Sequence, residues 1–232
     1  MTTATSLGKS LSSLAATTLG EYALFGGGKT SSNSESKTVY AYNSLLERSS
    51  APDLSLARTS LAATSIGNYA LFGGGVPSSG TYTTRVDAYS ESLTKVTVTA
   101  LTYARRKLAA TPVGNYALFG GGEGYKDEAE AYSPLIDAYS SALVRTTPVV
   151  LSVGRYNLGA ITLENYALFG GGTSGKDQNS AVVDAYNEIL VRTNPTPLSS
   201  ERTVTYSVAT VGSYALFGVG DSKSTLVDAY GI

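Results

Sequence analysis

Two short words, each recurring five times in fixed order, predict an all-β fold of five four-stranded antiparallel blades, a five-bladed β-propeller. The first word is Tyr-Ala-Leu-Phe-Gly, with its tyrosine at Tyr22, Tyr69, Tyr116, Tyr166 and Tyr214. The second is an Ala-Tyr pair with an apolar residue two places before the alanine, ending at Tyr42, Tyr89, Tyr139, Tyr186 and Tyr230. The first words lie 47 to 50 residues apart. That period suits a unit of a few strands that buries its apolar faces only by stacking on its neighbours.

Each repeat reads as four short strands. Ser60-Leu61-Ala62-Ala63-Thr64 is a small-residue first strand, and the Gly67-Asn68 pair after it is a tight hairpin signal. Tyr69-Ala70-Leu71-Phe72 is apolar on both faces, as a strand between two neighbouring blades requires. The run Gly73-Gly74-Gly75 ends it, a loop of variable length follows, and Val86-Asp87-Ala88-Tyr89 forms the third strand. A short turn leads to the β-branched Val96-Thr97-Val98-Thr99, the fourth. Small residues recur in the first strand at Ala15-Ala16, Ala62-Ala63, Ala109-Ala110 and Gly159-Ala160, so that strands can converge near an axis; Ser207-Val208 departs from this.

On this register the chain is one domain over residues 1–232, with repeats at about 8–54, 55–101, 102–151, 152–198 and 199–232. The last repeat ends after its third strand. Aligning Tyr22 with Tyr116 places residues 1–7 on a fourth-strand position, so the N-terminal strand is expected to complete the fifth blade and close the ring. Without it that blade carries an unpaired edge.

Composition narrows the chemistry. The net charge of −1 gives no electrostatic case for nucleic acid or an anionic membrane. No stretch has the length of a membrane-spanning helix, and Met1-Thr2-Thr3-Ala4-Thr5 lacks the pattern of a signal peptide, so membrane insertion is not expected. Cys, His and Trp are absent, which removes disulfides, the common soft metal ligands and most nucleophile–base pairs. No cofactor and no metal are expected.

The repeat resembles the kelch repeat: a small-residue strand, an apolar strand ending in double glycine, and a tyrosine in the third strand. Gly26-Gly27, Gly73-Gly74, Gly120-Gly121 and Gly170-Gly171 match the pattern, and Gly218-Val219-Gly220 departs from it. The arginine that opens the kelch first strand stands at Arg58, Arg105 and Arg155, with Arg202 one place out of register. Where kelch repeats carry a Trp before the fourth strand, this chain has Leu45-Leu46, Leu93, Leu143-Val144 and Leu190-Val191. The uniform wording is similar to kelch-like arrays of bacterial and phage surface proteins. The resemblance implies a propeller fold and leaves function open. A copper site of the galactose-oxidase kind needs His and Cys and is excluded.

The third-strand aspartates Asp87, Asp137, Asp184 and Asp228 accompany the first-strand arginines, and repeat one lacks both partners, having Leu11 and Tyr40 instead. Arg58–Asp87, Arg105–Asp137 and Arg155–Asp184 are therefore expected as structural ion pairs, against the alternative of an arginine ring facing a ligand. The glycine runs precede no helix and no Lys-Ser/Thr pair, so they are expected to serve close blade approach and not phosphate binding.

Function is expected on the loops after the glycine runs, residues 29–38, 76–85, 123–135, 173–181 and 221–225, which vary in length and chemistry on a repeated frame. The candidate ligand-binding residues are Tyr82, Arg85, Tyr125, Lys126, Asp127, Glu128, Glu130 and Tyr132. Tyrosine suits both protein and sugar contacts, with an apolar ring and a polar tip. The chain is expected to be a non-enzymatic recognition or scaffold module, a monomer binding a protein or a glycan. The alternatives are a glycan-acting hydrolase using loop carboxylates, or a trimmed or engineered scaffold without ligand.

Overall fold

A computed structural model describes residues 3–126, 129–175, 178–205, 207–218 and 225–231, with nothing said of the side chains at 125, 126, 129 and 130. Every regular element among them is a β-strand. No helix among the described residues is long and apolar enough to cross a membrane. The chain divides into two compact units, Met1–Arg106 and Lys107–Ile232.

In the first unit, sheet one is Ala15–Leu19, Tyr22–Gly26, Val39–Tyr42 and Arg48–Ala51, and sheet two is Ala62–Ile66, Tyr69–Gly73, Val86–Ser90 and Lys95–Val96. In the second unit, sheet three is Ala109–Val113, Tyr116–Gly120, Ile136–Ser140 and Arg145–Thr146. Sheet four is Gly159–Leu163, Tyr166–Gly170, Val183–Asn187 and Arg192–Thr193. All four are antiparallel meanders in chain order. Sheet five has three strands, Val208–Val211, Tyr214–Phe217 and Asp228–Gly231. Residues 3–7, expected as its fourth strand, belong to no sheet.

The repeated words explain the repeated register. The tyrosine opening each second strand pairs with the last residue of the first, as in Leu19↔Tyr22, Ile66↔Tyr69 and Val113↔Tyr116. The two-residue turn between them starts with a positive φ at Gly20, Gly67, Gly114 and Gly212, as this hairpin type demands, and Glu164 holds the same place with φ 48°. Inside each sheet the phenylalanine of the first word meets the tyrosine of the second edge-on, for example Phe72 with Tyr89 at 5.9 Å.

The glycine runs serve close approach, as expected. Gly28 donates its N–H to the Arg58 carbonyl at 2.9 Å, and Gly172 does the same to Arg202. A Cβ on Gly27 would sit 2.7 Å from the Arg58 carbonyl oxygen, and its φ of 74° favours glycine in any case. The departure at Val208 also has a reason. A Cβ on Gly159 would lie 2.7 Å from a Val208 methyl, so the valine of sheet five fills the space that the glycine of sheet four leaves.

Leucines hold the turn before the fourth strand in an unusual way. Leu46, Leu93, Leu143 and Leu190 all have φ near 60° in the turn before the fourth strand, a position where glycine is the ordinary choice. Leu93 and Leu190 pack against the apolar cores of their units, and that burial offsets the backbone strain.

Candidate functional site

Two groups of side chains compete for the functional reading. The first is the arginine–aspartate set. Arg58 Nη1 donates to Asp87 at 2.8 Å with both side chains buried, and its other donors reach the Leu56 and Phe72 carbonyls. Asp87 also accepts from the Ser55 N–H and hydroxyl and pairs with Lys95 at 2.6 Å. Burial works to raise the Asp87 carboxyl. The Lys95 hydrogen bond, the Arg58 charge and the Ser55 donors outweigh it, so the group lies below the ordinary carboxylate range.

Arg155 pairs with Asp184 and caps the Phe169 and Gly171 carbonyls in the same way. Arg202, although out of register in sequence, pairs with Asp228 and caps Phe217 and Gly218. Arg105 and Asp137 are each fully buried. Each of the three pairs Arg58–Asp87, Arg155–Asp184 and Arg202–Asp228 lies within one repeat and ties the end of its second strand to its third. Arg58, Arg155 and Arg202 are clasps inside their sheets, with their guanidinium groups buried.

The second group lies on the variable loops. In the first unit Tyr82 is only 6% exposed, with the Arg106 guanidinium 4.9 Å from its ring centre. Arg85 is exposed and is fixed by its backbone, its N–H bonded to Thr83 Oγ1 and its carbonyl to the Gly74 N–H.

In the second unit the loop after sheet three's glycine run begins as a hairpin, Glu123–Lys126 paired with Ala129–Tyr132. Tyr125 lies opposite Glu130 and Glu123 opposite Tyr132; Lys126 pairs with Ala129. Asp127 and Glu128 lie outside the described residues, and of Tyr125, Lys126 and Glu130 only this pairing is described.

Tyr132 leads to residues that sequence reasoning did not single out. Its ring stacks on Tyr156 at 5.2 Å with the planes 25° apart. Lys107 Nζ stands 4.8 Å from the Tyr156 ring centre and 3.2 Å from a Glu123 carboxylate oxygen. The half-exposed rings thus form a platform edged by one cation and one buried carboxylate.

Several local features hold it. The Tyr156 N–H and carbonyl are both bonded to the backbone of Thr173 at the base of the next loop. Lys107, with φ 53°, offers its carbonyl to the Asn157 N–H at 3.1 Å. Gly154 makes room as well: a Cβ there would fall on the Tyr132 carbonyl. The sequence signal for Tyr156 is its place directly after the repeated arginine. That position is Thr59, Arg106, Tyr156 and Thr203 in successive repeats, a variable residue beside a constant one. In the first unit the same pair of positions brings Arg106 onto Tyr82.

Stacked phenol rings with a flanking ammonium and carboxylate offer an apolar face, hydrogen-bonding tips and charge in one place. Among the described residues no group of three or more His, Cys, Asp or Glu could hold a metal ion.

Comparison with solved structures adds the fold. The chain superposes on "Structure of YjhT" with a TM-score of 0.71 at 11% identity, over 90% of this chain and 72% of that one. The fold is propeller-like. At that identity the likeness speaks for architecture alone, and more than a quarter of the YjhT chain has no counterpart here. No family model matches the chain, and no curated protein matches it.

Proposed function

We propose that this chain is a five-bladed, kelch-like propeller that acts as a non-enzymatic recognition module, binding a glycan or a protein through the loops after its glycine runs. The count of five rests on the five sheets, one per repeat. The closure read from the sequence belongs to the same proposal: residues 2–7 supply the fourth strand that sheet five lacks.

The observation that carries the binding reading is the Tyr132–Tyr156 stack with Lys107 and Glu123 at its edge. The strands beneath repeat the same register in every blade. The loops above them differ, so discrimination between ligands has to come from the loops. An aromatic face beside charged hydrogen-bonding groups suits the apolar face and hydroxyl rim of a sugar ring, and equally a tyrosine- or arginine-bearing protein surface.

A glycan array and a pull-down from surface-protein extracts, each run beside a Tyr156→Ala variant, test this reading. A ligand captured by the native chain and lost with the variant supports it. A ligand held equally by both places binding elsewhere. Hydrolysis of a captured glycan would replace the non-enzymatic reading with an enzymatic one.

A further inference from the structure

The frame under the Tyr132–Tyr156 stack is built twice in the second unit. Ser133 donates its N–H to the Gly122 carbonyl at 2.8 Å, and its own carbonyl accepts from the Arg155 N–H. Ser180 does the same with Gly172 and Arg202. Each serine hydroxyl also accepts an N–H from two residues on, Leu135 and Val182, at 3.2 Å. Tyr132 and Asn179 directly precede these serines, and Tyr156 and Thr203 directly follow the arginines. Asn179 therefore stands to Thr203 as Tyr132 stands to Tyr156, 24 residues apart in both cases. A third place matches as well. Lys107 and Asn157 both have φ 53°, and their carbonyls accept from the N–H groups of Asn157 and Val204.

The frames agree and the side chains do not. Lys107, Tyr132 and Tyr156 supply rings and a charge, whereas Asn157, Asn179 and Thr203 supply amides and a hydroxyl. Thr173 joins the two sets. It lies opposite Tyr156 in one bridge and opposite Asn179 in the next. Directly opposed residues of antiparallel strands carry their side chains on the same side. The row Tyr156–Thr173–Asn179 spans two strand spacings, about 10 Å. Thr173 is buried at its centre, and its hydroxyl donates to Asn179 Oδ1 at 3.4 Å. That bond orients the amide and leaves its Nδ2 as a donor.

We propose that the ligand of this platform is an uncharged oligosaccharide, with one sugar stacked on Tyr132–Tyr156 and the next hydrogen-bonded by Asn179 across the Thr173 floor. The inference rests on the loop-binding reading and narrows it to one ligand class and two adjacent subsites.

Charge and hydrogen-bonding capacity select the class. Lys107 and Glu123 neutralise each other at 3.2 Å. In sequence the hairpin that starts at Glu123 adds Asp127, Glu128 and Glu130 against Lys126 alone, so an anionic glycan would be repelled. An amide offers donors and an acceptor together, and a sugar hydroxyl does the same, so Asn179 suits a hydroxyl rim. The tyrosine rings suit the apolar C–H face of a sugar. A charged protein surface finds no counter-charge in Asn157, Asn179 and Thr203. The row from Tyr156 to Asn179 reaches past a single sugar ring, so the two sets together fit linked sugars.

A glycan array carrying neutral, uronic-acid, sialylated and sulfated oligosaccharides tests it, with thermal melts confirming the fold of each variant. The native chain should capture neutral glycans of two or more sugars, and added salt should change the signal by less than about twofold, because no ion pair forms. Asn179→Ala should weaken that capture about tenfold through lost hydrogen bonds. Tyr156→Ala should abolish it. Capture confined to charged glycans, an empty array, or an Asn179→Ala variant that binds as the native chain does would overturn the inference. A protein captured instead, and lost with Tyr156→Ala, would overturn it too while leaving the loop-binding reading standing. That reading fails separately, if Tyr156→Ala keeps whatever the native chain captures.

Discussion

Arg58 reaches Asp87 across 2.8 Å inside sheet two, and neither side chain is open to solvent. The pair clasps the second strand to the third, because Arg58 also caps the Phe72 carbonyl while Asp87 gathers Ser55 and Lys95. Arg155–Asp184 and Arg202–Asp228 repeat the arrangement. Burying two charges is expensive, and the surrounding hydrogen bonds make it tolerable.

Removing one partner should therefore hurt more than removing both. Asp87→Ala leaves a buried guanidinium and should cost about 3–5 kcal/mol. The double variant Arg58→Met/Asp87→Leu should be less destabilised than the two single changes combined, as measured by urea unfolding. A strictly additive cycle would show that the two groups do not act as a unit.

The same carboxylates set an acid limit. Asp87 and Asp228 titrate below the ordinary aspartate value when folded. Their contribution is present above that ordinary value of about 3.9 and is lost as pH falls through the lowered folded one. The urea midpoint should hold between pH 7 and 5 and then drop steeply towards pH 2. Asp87→Asn should flatten part of that drop.

An alkaline limit follows from the tyrosines. Burial first, and then the neighbouring Asp228, push the Tyr230 phenol up to about 12, and burial raises Tyr89 and Tyr186 as well. The stability these groups contribute is complete below the unfolded value of about 10 and is lost as pH rises towards the folded ones. Ultraviolet titration of the native chain should show a late set of phenols ionising together with unfolding. Tyr89→Phe, which strands the Pro52 carbonyl that Tyr89 bonds at 2.8 Å, should cost about 1 kcal/mol at neutral pH.

Glu164 is a correctable strain. It holds the positive-φ turn position that glycine occupies in the other repeats, and its side chain is exposed. Glu164→Gly should raise stability by about 0.5–1 kcal/mol by relieving the left-handed backbone, seen as a higher melting temperature. A lower one would mean that the greater freedom of glycine in the unfolded chain outweighs the relief.

On the loops, Tyr156→Ala and Tyr132→Ala should leave the melting temperature within a few degrees of native while weakening a captured ligand about tenfold. Glu123→Gln separates charge from shape, since it keeps the side chain and loses the ion pair to Lys107. Calorimetric titration reads all three.

The repeated words alone determined the strand order, because a short apolar run such as Tyr-Ala-Leu-Phe, bounded by a two-residue turn and a glycine run, is a local property of the chain. The pairs Arg58–Asp87 and Arg155–Asp184 were also legible, because repeat one lacks both partners at once, as a paired role predicts; Arg202–Asp228 was not, since Arg202 stands one place out of register. The stack of Tyr132 on Tyr156 was not legible. The two rings come from adjacent repeats, and it is the approach of one blade to the next, allowed by Gly154, that brings them together. Nor could sequence show that Tyr82 is buried under Arg106, since a loop position says nothing of what packs over it.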